Sequence, residues 1–178
     1  MDAAPQLVGI EEIEQAREGL RGVLRPTSTE PSPSLSALCG RPVMLKPEHR
    51  QRTGSFKIRG AHHLIAHLDA DLVVAASAGN HAQGVALAAT LTGKRSVLFM
   101  PAAASLPKVA ATRAYGAEVH LGHHLVDDCI EDARSWAQAH GGVFVPPFDD
   151  PRIVAGQGTL GLEGLEEAPG AATVVVPV

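Results

Sequence analysis

The sequence lacks any hydrophobic run approaching the roughly 20 consecutive apolar residues that are needed to cross a bilayer. Residues 1–9 also lack the cationic flank and apolar stretch of a secretory signal peptide. We therefore expect neither a membrane-spanning helix nor secretion, and the sequence predicts a cytoplasmic protein.

Cysteine and concentrated positive charge are also scarce. The two cysteines, Cys39 and Cys129, form no C-x-x-C pair, so we expect ordinary packing roles and no disulfide framework. The 15 basic residues are scattered among 19 acidic ones, and the net charge is −4. This distribution disfavours nucleic acids and anionic membranes as partners. The predicted partners are small molecules and further copies of the chain, in a homo-oligomer.

The sequence does contain enough apolar material for a folded core, since 45% of its 178 residues are hydrophobic. Short apolar runs alternate with stretches of helical periodicity. Because parallel strands need a crossover, which a helix supplies, this alternation predicts an α/β fold with a parallel sheet. The predicted strands are residues 43–45, 72–76, 96–100, 118–121 and 143–145, and the predicted helices are residues 56–68, 82–91, 107–115 and 127–139.

The two ends of the chain have different patterns. Apolar residues recur at helical spacing from Ile10 to Val23, which predicts an amphipathic helix. Three prolines in residues 25–36 then predict an extended connector. Residues 173–178 read Thr-Val-Val-Val-Pro-Val, which is typical of a buried parallel strand. Such a strand would be central in a sheet, so we expect the chain to be an incomplete domain.

The first motif with possible chemistry reads Gln-Arg-Thr-Gly-Ser-Phe-Lys-Ile-Arg-Gly-Ala over residues 51–61. Its Lys57 follows Phe56 at the start of a predicted helix. A lysine nucleophile needs part of its population uncharged, and we expect partial burial near Arg52 and Arg59 to lower its pKa. By itself, the motif is weak evidence, because a lysine in the first turn of a helix is usually a solvated surface residue.

The second motif reads Ser-Ala-Gly-Asn-His-Ala-Gln-Gly over residues 77–84, directly after a predicted strand and directly before a predicted helix. Gly79 allows a tight turn, and the N–H groups at the helix start form an anion site for a carboxylate or phosphate. A helix cap made by Ser77 or Asn80, without a ligand, is the competing interpretation.

The third motif lies in residues 146–159, where two prolines end a strand, Asp150 can cap a helix and Pro151 suits the first helical position. A helix is predicted to start there. Within it, residues 156–161 match the dinucleotide-binding pattern G-x-G-x-x-G. Dinucleotide binding is disfavoured. Its fingerprint directly follows a strand and is followed by an acidic residue about 20 positions later, whereas here the glycines follow a helix start and the sequence ends before that position.

Together, the three motifs resemble fold-type II pyridoxal-phosphate (PLP) enzymes, specifically the threonine dehydratase, serine dehydratase and serine racemase group. The resemblance extends from about Leu20 to Val178. It implies a tryptophan synthase β-like fold with PLP in a cleft between two domains. Residues 1–66 and 151–178 would form the large domain, which is incomplete here, and residues 67–150 the small α/β domain.

The resemblance also implies residue roles. Lys57 would form the Schiff base with PLP, Phe56 would pack beside the cofactor, and Asn80 would bind its 3-hydroxyl. The substrate carboxylate would be cradled by Ser77, Gly79, Asn80 and His81.

The implied reaction begins when the freed lysine removes the α-proton of the substrate, after which the β-hydroxyl leaves. Threonine would give 2-oxobutanoate and serine would give pyruvate, each with ammonia. Ala78 stands where similar racemases have a second serine, so elimination is favoured over racemisation. Another hydroxy-amino-acid dehydratase, a serine racemase, or a non-catalytic fragment that binds a longer homologue are the alternatives.

Two further expectations concern what binds. In the family, a phosphate-binding glycine run follows the strand at residues 173–178, and without it we expect the chain alone to be inactive or nearly so. Nine histidines invite a metal site, including His63 with His67 and the pair His123 and His124. No third ligand is placed by spacing, so we predict solvated histidines and no metal.

Overall fold

The computed structural model describes residues 7–176 and confirms an alternation of helices and strands. A single 3₁₀ turn covers Glu48–Arg50. In chain order, the other elements are α1 (Ile10–Gly19), β1 (Glu30–Pro31), α2 (Pro33–Cys39), β2 (Met44–Leu45), α3 (Lys57–Ala66), β3 (Leu72–Ala76), α4 (Asn80–Leu91), β4 (Arg95–Pro101), α5 (Leu106–Ala114), β5 (Glu118–Gly122), α6 (Val126–His140), β6 (Val143–Phe144) and α7 (Pro151–Glu167).

The main sheet has four parallel strands in the order β5-β4-β3-β6. The register between β3 and β4 runs from Leu72 opposite Arg95 to Ala76 opposite Phe99. Since every neighbouring pair in this sheet is parallel, the predicted α/β class is confirmed. The crossovers are supplied by helices, as parallel pairing requires.

The two faces of β3 are both buried, which explains its uninterrupted apolar sequence. Val73 and Ala75 belong to a core cluster shared with α3 and α4. Val74 and Ala76 belong to a second cluster that includes Cys129 of α6. The result is a three-layer arrangement with helices on each side of the sheet.

Helix α3 is held between α4 and α7 by close contacts at glycines. A Cβ on Gly156 would lie 2.7 Å from both the Arg59 carbonyl oxygen and the Gly60 Cα. A Cβ on Gly84 would lie 3.1 Å from the Lys57 carbonyl carbon. Because no side chain fits at these crossings, glycine lets the helix backbones touch and fixes the position of α3.

A buried ion-pair network holds the other side of α3. The Arg59 side chain is 1% exposed and donates to both Glu48 carboxylate oxygens at 2.9 Å. It also donates to Glu163 at 2.7 and 2.9 Å and to Thr159 at 3.0 Å. Burial acts to lower the Arg59 pKa, but these carboxylates outweigh burial and raise it. The network therefore joins α3 to α7 and to the segment that precedes α3, which contains Glu48.

The predicted strand at residues 173–178 is wrong for the part that the structure describes. Residues 173–176 form no strand, and Val174, Val175 and Val176 are 68%, 88% and 68% exposed. A β-branched segment becomes a strand only beside a hydrogen-bonding neighbour, and no strand within residues 7–176 pairs with this one. Residues 177–178 lie outside the described residues.

The prediction of an extended connector over residues 25–36 is wrong at its end, where α2 begins at Pro33. The Ser32 side chain accepts a hydrogen bond from the Leu35 N–H, and proline at the first position suits a helix start. The strand predicted at residues 43–45 is observed at Met44–Leu45, but it pairs antiparallel with β1 and lies outside the parallel sheet.

Some single-residue predictions also need correction. Cys129 is buried as expected, whereas Cys39 is exposed and packs in no core. His67, His123 and His124 are exposed, but His63 is only half-exposed and its Nδ1 has no hydrogen-bond partner. His63 lines a pocket with Glu12 of α1 and Arg152 of α7, an arrangement that local spacing does not reveal.

No helix among residues 7–176 combines the length and the apolar character needed to cross a membrane. The predicted division into two domains stays a prediction. One core cluster includes Ile58, Val73 and Ile153, which belong to the three segments of that prediction, residues 1–66, 67–150 and 151–178.

Candidate functional site

The candidate site lies where the parallel strands end. The carboxyl ends of parallel strands meet at one edge of a sheet, which is where α/β folds commonly place ligands. After β3 the chain enters the Ser77–Gly79 turn and then α4. After β6 it reaches Pro147. Lys57, at the start of α3, contacts this edge.

The Lys57 amine is half-buried and faces the segment after β6. Its Nζ donates a hydrogen bond to the Pro147 carbonyl oxygen at 2.9 Å and lies 5.3 Å from the centroid of the Phe56 ring. Burial lowers the pKa of Lys57. The prediction that Arg52 and Arg59 lower the pKa of Lys57 is wrong. Burial causes the lower pKa, and the charge of Arg59 is balanced by the carboxylates of Glu48 and Glu163. A lowered pKa increases the uncharged, nucleophilic fraction of the amine.

The turn before α4 forms the second part of the site. The Gly79 N–H donates to the Ser77 hydroxyl at 3.1 Å, and Gly79 is the residue before the helix. No side chain caps α4. Its first N–H groups therefore point outward without intrahelical partners, at the positive end of the helix dipole. The competing interpretation as a side-chain cap is wrong, and the turn has the features of an anion site.

The structure buries His81 beside this turn. The residue is 3% exposed, its Nε2 lies 3.1 Å from the Val145 carbonyl oxygen, and its Nδ1 has no partner. Burial lowers the pKa of His81 to about 4, the Val145 contact opposes this, and the Lys57 charge adds to it. His81 is therefore neutral near pH 7, with Nε2 donating to Val145 and Nδ1 free to accept a hydrogen bond.

The structure places the predicted residues at this edge with different exposures. Gly79 and His81 are buried, Phe56, Lys57 and Ser77 are half-buried, and Asn80 is exposed. The Asn80 amide makes no hydrogen bond within residues 7–176, so it is available to a ligand. Sequence reasoning missed Pro147, whose carbonyl contact depends on folding across 90 residues.

These residues fit PLP, which carries an aldehyde, a phenolic oxygen and a phosphate. The half-buried amine of Lys57 suits the aldehyde, and the neighbouring Phe56 ring suits the pyridine ring. Unpaired donors at the turn suit anionic groups. No group of three or more His, Cys, Asp or Glu residues lies close enough to hold a metal ion in the described part of the chain.

Residues 20–178 match the family model described as pyridoxal-phosphate dependent enzyme. The chain belongs to this family. The family's cofactor is PLP, in agreement with the resemblance seen in the sequence motifs. The match of residues 156–161 to a dinucleotide fingerprint is incidental, because these residues lie inside α7.

Several members of the pyridoxal-phosphate family are similar to this chain in sequence or in structure. An L-threonine ammonia-lyase from Thermotoga maritima is 47% identical over 176 residues, which are 97% of this chain and 44% of that relative. The crystal structure of a T.th. threonine deaminase superposes with a TM-score of 0.84 at 39% identity, over 90% of this chain and 52% of that one. Maize serine racemase has a TM-score of 0.88 at 31% identity, over 93% and 51%.

These similarities confirm the predicted fold-type II architecture and the resemblance to threonine and serine dehydratases. The chain spans about half the length of the relatives that it matches.

Proposed function

We propose that the protein is a PLP-dependent lyase that converts L-threonine or L-serine to a 2-oxo acid and ammonia. The observation that carries this proposal is a half-buried amine, Lys57, beside an uncapped helix start at the edge of a parallel sheet. Relatives named L-threonine ammonia-lyase support the choice of substrate. Because the chain spans about half their length, the activity is proposed for the whole protein.

Three residues would hold the cofactor. Lys57 would bond to the aldehyde carbon of PLP, Phe56 would pack against the ring, and Asn80 would donate its amide N–H to the 3-oxygen. When bound, PLP supplies an electron sink that stabilises negative charge at the α-carbon of an amino acid.

Lys57 would then act as the base. Its Nζ would take the α-proton of a bound substrate, and burial, which lowers the Lys57 pKa, favours the uncharged form that this step needs. Its contact with the Pro147 carbonyl oxygen must break first.

The turn at Ser77–Gly79, with Asn80 and His81, would orient the substrate by its carboxylate. Uncapped N–H groups at the start of α4 would donate to the carboxylate oxygens. His81 is neutral and therefore adds no positive charge to the site. Fixing the carboxylate sets which α-substituent faces Lys57.

Loss of the α-proton to Lys57, and of the β-hydroxyl as water with the proton that Lys57 has taken, would convert the amino acid to an enamine. Its hydrolysis yields 2-oxobutanoate from threonine or pyruvate from serine, each with ammonia. We propose low activity for residues 1–178 alone, since the relatives contain as many residues again.

The test is a product assay with PLP. Residues 1–178 are fused to the second half of the Thermotoga maritima relative, and 2-oxobutanoate is measured after addition of L-threonine. We expect product formation that falls at least about a thousandfold in Lys57→Ala, since the nucleophile and base are lost together. Undiminished product formation by Lys57→Ala would contradict the proposal.

A racemase is the second candidate, because maize serine racemase is among the similar structures. Ala78 has no side-chain hydroxyl to act from the face opposite Lys57, so we propose that elimination dominates. Chiral chromatography of the fusion with L-serine decides the matter, since we expect pyruvate and no accumulation of D-serine.

We also propose that the protein is a cytoplasmic homo-oligomer. The scattered charges of the sequence, which offer no basic patch to nucleic acid or to an anionic membrane, leave other copies of the chain as the favoured macromolecular partner. Light scattering of the whole protein measures the oligomeric state directly.

A further inference from the structure

Lys108 reaches the candidate site from α5, an element that none of the sequence motifs includes. Its Nζ lies 2.6 Å from the position that a Cβ on Gly79 would occupy, and its Cδ lies 2.8 Å from that position. The ammonium group therefore rests against the backbone of the turn that begins α4. A Cβ at position 79 would therefore displace the end of the Lys108 side chain from the turn.

Lys108 is a half-buried residue, and its ammonium has no hydrogen-bond acceptor among residues 7–176. The Lys108 N–H donates to the Ser105 carbonyl oxygen at 2.9 Å, and its carbonyl oxygen accepts from the Thr112 hydroxyl at 2.8 Å, so only its backbone forms hydrogen bonds there. A lysine ammonium forms charge-assisted hydrogen bonds with anions within its reach. An anion bound at the turn would supply that partner.

Two neighbouring features favour an anion at this point. The first N–H groups of α4 are uncapped, and the nearby His81 is 97% buried, being 3% exposed, with an unpartnered Nδ1. These groups belong to a different helix from Lys108. Unpaired polar groups of α4 and the Lys108 ammonium of α5 therefore lie at the same turn.

We propose that Lys108 is a substrate-binding residue whose ammonium pairs with the α-carboxylate of the amino acid. The proposal rests on the proposed function, because it places the carboxylate at the Ser77–His81 turn. The cofactor phosphate is a poorer partner. On the pyridine ring, the 3-oxygen and the phosphate arm flank the aldehyde carbon on opposite sides, so Asn80 at the 3-oxygen keeps the phosphate away from Gly79.

Butanoate tests the inference, since it has the carboxylate and chain length of threonine but no amine to react. The ¹⁵N-labelled 178-residue chain is titrated with butanoate, and the amide signals of Asn80 and His81 report the Kd. We expect the Kd to rise at least about tenfold in Lys108→Met, the effect of one charge-assisted hydrogen bond, and to recover partly in Lys108→Arg.

Arg113→Met is the matched control, because Arg113 is an exposed cation on the same helix and its loss should leave the Kd unchanged. Thermal unfolding confirms that each variant is folded. An unchanged Kd in Lys108→Met, or no butanoate-induced shift in the native chain, would overturn the inference.

Inorganic phosphate is titrated in parallel. Tighter, Lys108-dependent binding of phosphate than of butanoate would make Lys108 a phosphate contact and would also overturn the inference. Failure of the proposed function is seen separately, as absence of cofactor attachment at Lys57, because butanoate binding requires no cofactor.

Discussion

Burial of a neutral His81 links the candidate site to the pH dependence of stability. The pKa of His81 falls from 6.5 to about 4 on folding. Between these values the unfolded chain binds a proton that the folded chain does not, so acid favours unfolding. The stabilisation present above pH 6.5 is lost as the pH falls toward 4, and it is on the order of 3 kcal/mol.

The measurement is the free energy of unfolding in urea at several pH values. His81→Gln keeps a donor for the Val145 carbonyl oxygen but does not titrate, so we expect a flatter pH dependence from 6.5 to 4. His62 and His63, whose pKa values are also lowered by burial, remain in both proteins. Identical slopes for the two proteins would refute the burial of neutral His81.

Ala78 offers a second test at the scale of one residue. It is exposed in the turn before α4, so a serine hydroxyl fits there without displacing the core. In Ala78→Ser, we expect D-serine to appear during incubation of the fusion with L-serine, because the added hydroxyl would supply the second proton donor that similar racemases have at this position. Ala78→Thr, with a bulkier hydroxyl, serves as a comparison. Chiral chromatography that finds no D-serine in either variant would contradict this role for position 78.

At the scale of elements, the crossing of α3 and α7 depends on glycine. Alanine favours a helix interior over glycine by about 1 kcal/mol, so Gly156→Ala would stabilise an isolated α7. In the protein its Cβ would lie 2.7 Å from the backbone of α3. We expect overpacking to dominate, with a net loss of about 1–3 kcal/mol.

Gly161→Ala provides the control, because Gly161 lies in the same helix with nothing within 4 Å of an added Cβ. This variant should gain up to about 1 kcal/mol. Both are measured as free energies of unfolding in urea. A stabilising effect of Gly156→Ala equal to that of Gly161→Ala would show that α3 and α7 do not touch there.

Local periodicity predicted most elements of the sheet and its helices. The predicted strand at residues 96–100 is observed at Arg95–Pro101, and the predicted helix at residues 127–139 at Val126–His140. Periodicity succeeded here because each element buries one face or both within the chain. It failed at Val174–Val176, where apolar β-branched residues have no neighbouring strand within residues 7–176.

The Arg59 network joins three segments of the molecule, namely the residues before α3, α3 itself and α7. Glu48→Gln removes one charge from a buried pair, in which Arg59 is 1% and Glu48 9% exposed in their side chains. Breaking a buried ion pair costs about 3–5 kcal/mol of stability. Because Glu163 still compensates part of the Arg59 charge, we expect the free energy of unfolding to fall by an amount near the lower value.

The exposed pair of Arg50 and Glu30, with side chains 57% and 42% exposed, supplies the control. Glu30→Gln should change the unfolding free energy by no more than about 1 kcal/mol. Denaturation curves for both variants give the difference. Equal, small effects would mean that the Arg59 network contributes little to holding α3.

The candidate site could be predicted only where its residues are adjacent in sequence. Lys57 and the Ser77–His81 turn belong to contiguous motifs that are recognisable in the sequence. Pro147 and Lys108 reach the site through the meeting of strand ends at one edge, which no local spacing encodes.

Covalent trapping determines whether Lys57 is the residue that holds PLP. The chain is mixed with PLP, reduced with borohydride and digested, and the labelled peptide is identified by mass spectrometry. We predict cofactor fixed on Lys57 and its loss in Lys57→Ala, with no effect of Lys94→Ala, whose amine is held by the Leu68 and Ala70 carbonyl oxygens. Label spread over several lysines, or undiminished in Lys57→Ala, would contradict this role of Lys57.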